Sequence, residues 1–158
     1  MKKLIVILSV IAVVGCKSKK AHQSEPKANE IVKLALSQVN SSQKNKAYEL
    51  GKRVLMTCNT SKFKPFTSTE ATTSVINNIT IEKLSKTCTK YRQWYGTFKD
   101  LELAEVYQNN DNQTTVYRFR ALYTKKVANK ELRVFMNANN QVSAIKTSDW
   151  VETFSYNQ

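Results

Sequence analysis

The chain has 158 residues, a length that suits one domain, and its 25 Lys and Arg against 12 Asp and Glu leave a formal net charge of +13. With 41% hydrophobic residues it can bury a core, which argues against wholesale disorder. Three Gly and two Pro exclude a collagen-like or Gly/Pro-rich chain, and three Cys are too few for a disulfide scaffold.

Lys2 and Lys3 precede an apolar run from Leu4 to Val14 that only Ser9 interrupts, and Gly15 and Cys16 follow. As a helix that run spans about 16 Å, roughly half the hydrocarbon core of a bilayer, so it is too short to cross one. A basic start, a short apolar stretch and a small residue before the cut describe a secretory signal. Val13-Val14-Gly15-Cys16 resembles the lipobox of bacterial lipoproteins. The resemblance implies cleavage before Cys16, acyl chains on its sulfur and new amino group, and anchoring in a membrane leaflet. Residues 1–15 then read as the signal peptide and 16–28 as the lipidated Cys and a flexible tether. Each buried methylene contributes about 0.8 kcal/mol, so two or three acyl chains hold firmly.

Loss of Lys2 and Lys3 lowers the charge from +13 to +11. Lys17, Lys19 and Lys20 sit beside the anchor, where each attracts anionic head groups by about 1 kcal/mol. An AT-rich coding sequence accounts for the same lysine excess. In the lipoproteins this resembles, Asp after the Cys marks inner-membrane retention. Lys17 there points to the outer membrane, facing the periplasm. Such an address excludes nucleic acid as a partner despite the charge.

From Ala28 to Cys58, Val32, Leu36, Val39, Ala47, Leu50, Val54 and Cys58 mostly step by three or four. This predicts one long amphipathic helix, or two broken near Asn40-Ser41-Ser42. Thr67 or Ser68 with Glu70 is expected to start a short helix carrying Val75, Ile76 and Ile79. Thr80 caps a further helix in which Ile81, Leu84, Cys88, Tyr91 and Tyr95 form one stripe, and Gly96 ends it. Cys58 and Cys88 both fall on core-facing stripes. In an oxidising envelope they are expected to pair, the alternative being two separately buried thiols. Closing a loop of about 30 residues restricts the unfolded chain by roughly 3.5 kcal/mol. The two remaining Cys are far apart and the only His, His22, lies in the tether, so no metal ligand set is expected.

Beyond Gly96 the period becomes two. Leu101, Leu103 and Glu105 alternate with Glu102, Ala104 and Val106, and Asn109-Asn110-Asp111-Asn112 makes a turn. Tyr117, Phe119, Ala121 and Tyr123 alternate with Val116, Arg118, Arg120 and Leu122, and Leu132, Val134 and Met136 with Arg133 and Phe135. Val142 to Lys146 closes the series. The fold class is α+β: N-terminal helices packed on a curved four-stranded antiparallel meander, with residues 29–158 a single domain. Helices first, the Trp94-Tyr95-Gly96-Thr97-Phe98 link, and Asn139-Asn140-Gln141 in the last hairpin resemble the cystatin-like or nuclear-transport-factor-like cone. More narrowly, the pattern is similar to small bacterial lipoproteins with that fold. The resemblance implies a sheet wrapped around helices with a pocket between them, and that pocket hosts many unrelated functions.

The sequence offers poor material for catalysis. His22 leaves no Ser-His-Asp or Cys-His arrangement for the domain, and three scattered glycines make no phosphate loop. An isomerase- or hydrolase-like Asp/Tyr site drawing on Asp100, Glu102 and Glu105 with Tyr107, Tyr117 and Tyr123 stays as the alternative. Protease inhibition lacks the cystatin Gln-x-Val-x-Gly loop. Tyr91, Tyr95, Tyr117, Phe119 and Tyr123 either fill the core or line a pocket for a small amphipathic ligand. Arg118, Arg120 and Arg133 either pair across strands with Glu102 or Glu131 or form an anion-binding face. The Trp150–Phe154 segment docks on the sheet edge or presents a partner contact. The expectation is a membrane-anchored, non-enzymatic envelope lipoprotein, without cofactor, that binds a small ligand or an envelope protein.

Overall fold

The helical stripe begins where Asn40 can cap it. The Asn40 side chain accepts the Gln43 amide at 3.0 Å, and helix α1 runs Ser41–Thr60. Upstream of that cap the chain is extended, and Ile31–Lys33 forms strand β1 instead of a first helical segment. The β-branched pair Ile31-Val32 suits a half-buried edge, and Lys33 bonds Glu105 across the ladder at 2.6 Å. The computed structural model describes residues 31–156; the stretches read above as signal peptide and tether, and Cys16, lie outside them. Helix α2 spans Thr73–Asn78 and α3 Ile81–Tyr95, the latter capped by Thr80. Four longer strands follow: β2 (Phe98–Asn109), β3 (Thr114–Tyr123), β4 (Lys130–Met136) and β5 (Val142–Asp149). They pair antiparallel in the order β1-β2-β3-β4-β5, so the sheet has five strands where strand periodicity predicted four.

Gly96 ends α3 at φ +80°, and a Cβ there would lie 2.1 Å from Thr124 Oγ1, so the sharp link into β2 requires glycine. Helix α1 lies along the inner face of the sheet, burying Ala47, Leu50, Val54 and Leu55 against Leu101, Phe119, Leu132 and Val134. Gly51 permits the close approach, because a Cβ would sit 2.6 Å from Leu132 Cδ2. Irregular register between Leu103 and Glu105 marks a bulge in β2. It carries Val106 into the core and Glu105 to the outer face, reversing the alternation expected beyond Leu103.

Glu70 does not start a helix; it binds back to α1. Arg53 donates to both its oxygens at 3.0 and 2.7 Å, and Oε2 also accepts the Thr67 amide at 3.0 Å. The Arg53 hydrogen bonds outweigh desolvation and hold the Glu70 carboxyl down to about 2. A depressed carboxylate stabilises the fold above its unfolded pKa of 4.5 and loses that contribution as pH falls toward 2. Glu70→Gln is therefore expected to cost about 2 kcal/mol at pH 7. That gap should close as urea midpoints are measured at successively lower pH; a gap constant from pH 7 to pH 2.5 would contradict it.

Candidate functional site

Helix α3 has no fully buried residue along its 15 positions. A covalent tie and a side-chain bond are among its attachments. The Cys58–Cys88 disulfide, with Cα atoms 4.7 Å apart, ties it to α1, as the core-facing stripes predicted. The Tyr91 hydroxyl bonds Thr147 Oγ1 of β5 at 3.1 Å. Beneath α3 a groove of about 180 Å³ remains open, lined by Val54, Leu55, Cys58, Ile79, Leu84, Thr87, Tyr91, Ile145 and Thr147. A cleft of about 380 Å³ adjoins the same sulfur bridge, lined by Thr57, Ser61, Ser85, Thr89 and Arg92. The bridge thus borders both a largely apolar groove and a hydroxyl-rich cleft that carries a cation.

The five aromatic residues singled out from the sequence do not share one pocket. Tyr91, Tyr95 and Tyr123 cluster at the C-terminal end of α3, with Tyr91–Tyr95 centroids at 5.3 Å and Tyr95–Tyr123 at 5.8 Å. Phe98 packs on Tyr123 at 5.6 Å, and burial raises the Tyr123 hydroxyl pKa. Tyr117 and Phe119 lie in the inner core, 0% and 1% exposed. The Tyr117 hydroxyl donates to Gln43 at 2.9 Å, and burial pushes it up to about 12. Tyr91 alone of the five lines the groove.

Asp100 is brought next to a tyrosine the sequence reading did not include. Tyr48 donates to it at 2.6 Å, Lys52 approaches it at 3.0 Å, and Lys52 also donates to the Tyr48 hydroxyl at 2.8 Å. The i, i+4 spacing of Tyr48 and Lys52 on α1 marks that pair in the sequence but not its meeting with Asp100. Bonds from Tyr48 first, then Lys52 and the Leu101 amide, hold Asp100 down to about 2. At neutral pH it is an anion with no proton to give, its side chain is 47% exposed, and it lines none of the cavities described above. Of the other acidic candidates, Glu102 is exposed opposite Arg120, while Glu105 and Tyr107 belong to the outer face.

The outer face carries the arginines. Arg118 and Arg133 are 0% and 1% exposed, and Glu131 between them is 0% exposed. Glu131 accepts Arg118 Nε and Arg133 Nε, each at 2.5 Å, and Ser148 Oγ at 2.8 Å. Arg118 Nη1 reaches Glu105 at 2.7 Å. Desolvation pushes Glu105 up, but bonds from Lys33, Arg118 and Tyr107 prevail and leave it lowered. The cross-strand pairing foreseen with Glu131 is present. The C-terminal segment folds over this face rather than along the sheet edge. Trp150 packs on Arg118 and Arg120, the ring centroid 3.7 and 3.8 Å from the two guanidinium carbons. Phe154 stacks on Tyr107 at 3.8 Å, and Tyr156 meets Phe135 edge-on. The anions at Arg118 and Arg133 in this structure are the protein's own carboxylates.

Among the described residues no helix is long and apolar enough to cross a membrane, and no group of three or more His, Cys, Asp or Glu is placed to hold a metal ion. Comparison with known proteins finds no matching family model, curated protein or solved structure.

Proposed function

We propose that the chain is an envelope lipoprotein, anchored through acylated Cys16 in the outer membrane and facing the periplasm. Its domain acts as a non-enzymatic binding module of the cystatin-like or nuclear-transport-factor-like type. Helices followed by a meander, with α1 laid along the inner face, support that fold reading. The groove beneath α3 carries the functional reading. Ligand pockets for small molecules run to about 300–1,000 Å³, whereas this groove holds about 180 Å³ and the centre of the fold is filled by Tyr117 and Phe119. A groove of that size suits one apolar side chain of an envelope protein better than a whole amphipathic ligand. The enzyme alternative has less support, because Asp100, although bonded by Tyr48, is ionised and half exposed and lines none of the cavities described above.

A photo-crosslinking residue at Leu84, in the groove, tests this in the native envelope against the same residue at exposed Lys86. A discrete adduct from position 84 only is expected, together with its loss when Cys16→Ser releases the protein from membranes. No adduct at 84, equal adducts at both positions, or a Cys16→Ser chain that still cofractionates with membranes would count against the proposal.

A further inference from the structure

The segment after β5 has no regular secondary structure from Val151 to Tyr156, yet the outer face reads it in detail. Arg118 donates to the Val151 carbonyl, and Arg133 Nη1 donates to the Ser155 carbonyl at 2.6 Å. Three rings, Trp150, Phe154 and Tyr156, seat at spacings of four and two. Hydrogen bonds to the main chain of a segment, with side-chain seats that select it, are how peptide-binding surfaces work. The receiving residues lie on β2, β3 and β4, whose ladders place them without help from the tail. We infer that the outer face of the sheet is a peptide-binding site, filled in cis by residues 150–156, that takes the same segment from a second copy of this chain. The cis tail hangs from a single joint at Asp149–Trp150, so it competes with an effective concentration in the millimolar range. This inference is independent of the groove beneath α3.

The test uses a chain ending at Asp149 and an acetylated peptide of residues Trp150–Gln158 carrying a fluorescent label. Saturable binding is expected, weakened at least tenfold by Trp150→Ala or Phe154→Ala in the peptide, changes that leave the protein untouched. The full-length chain should bind the peptide at least tenfold more weakly than the shortened one. Mixed near millimolar concentration, shortened and full-length chains should form a heterodimer that excess peptide dissolves. Absence of saturable binding by a folded shortened chain, equal binding by both chains, or monomers only in the mixture overturns the proposal. So does a shortened chain whose circular dichroism is non-native and is not restored by the peptide.

Discussion

Glu131→Ala is expected to lower the unfolding free energy by about 3–5 kcal/mol, the usual cost of removing one partner from a buried ion pair. The carboxylate is fully buried and serves two guanidinium groups at once, each at 2.5 Å, in a place water does not reach. Glu105 offers Arg118 only partial compensation, because it is 16% exposed and also serves Lys33. Truncation leaves more buried positive charge than the remaining carboxylate can balance. The same reasoning separates the worth of the cluster from the cost of breaking it. Replacing Arg118, Glu131 and Arg133 together by Met, Leu and Met removes the charges along with their desolvation penalty. The triple variant should therefore be less destabilised than Glu131→Ala alone, although it forfeits the Arg118–Trp150 contact. Urea unfolding followed by fluorescence gives both numbers. A Glu131→Ala midpoint matching the parent, or a triple variant worse than the single, would show that the buried charges are not mutually dependent.

The double variant Cys58→Ala/Cys88→Ala should lose about 3.5 kcal/mol, the loop-closure value for a 30-residue separation. Its effect should also be local. Helix α3 buries no residue completely, whereas α1 buries six. Without the bridge, α3 keeps the Tyr91–Thr147 bond and the half-buried Leu84. At its C-terminal end it also keeps the Tyr91 and Tyr95 rings on Tyr123 and the Lys125 bonds to the Gln93 and Tyr95 carbonyls, leaving its N-terminal half the less held. Hydrogen exchange should accelerate across Ile81–Tyr95 well before it does in β3 and β4. Uniform acceleration through sheet and helix alike would mean that α3 is held by its packing. Since Cys58 and Leu84 both line the groove, freeing α3 also dismantles it, so the crosslink from position 84 should vanish in the same variant.

The sheet is legible where one face is apolar and the other charged. Tyr117, Phe119, Ala121 and Tyr123 against Val116, Arg118, Arg120 and Leu122 leave one choice of face, and the structure adopts it. β1 is not legible, because Val32 and Leu36 also satisfy a helical period and only the Asn40 cap decides where the helix starts. Glu105 is misplaced by simple alternation, because a bulge changes the side-chain phase and leaves no compositional mark. The disulfide is legible because both Cys fall on stripes facing one core. The tail's position over the arginines is not, because Trp150, Phe154 and Tyr156 carry no period tying them to β2 and β4. Tyr48 beside Asp100 joins residues 52 apart in sequence, which only tertiary packing could reveal.

β1 is three residues long and covers β2 only opposite Tyr107–Asn109. Along the rest of that rim Asn59 bonds both backbone groups of Phe98 and Asp100 takes the Leu101 amide, which leaves a foreign strand little regular backbone to recruit. Two irregularities of register, at Phe98/Asp100 and Leu103/Glu105, buckle the rim, and Lys99, Asp100 and Glu102 post charges of both signs along it. An approaching strand would meet neither a straight ladder nor a neutral one, so fibrillar growth from this margin is discouraged even where molecules crowd together.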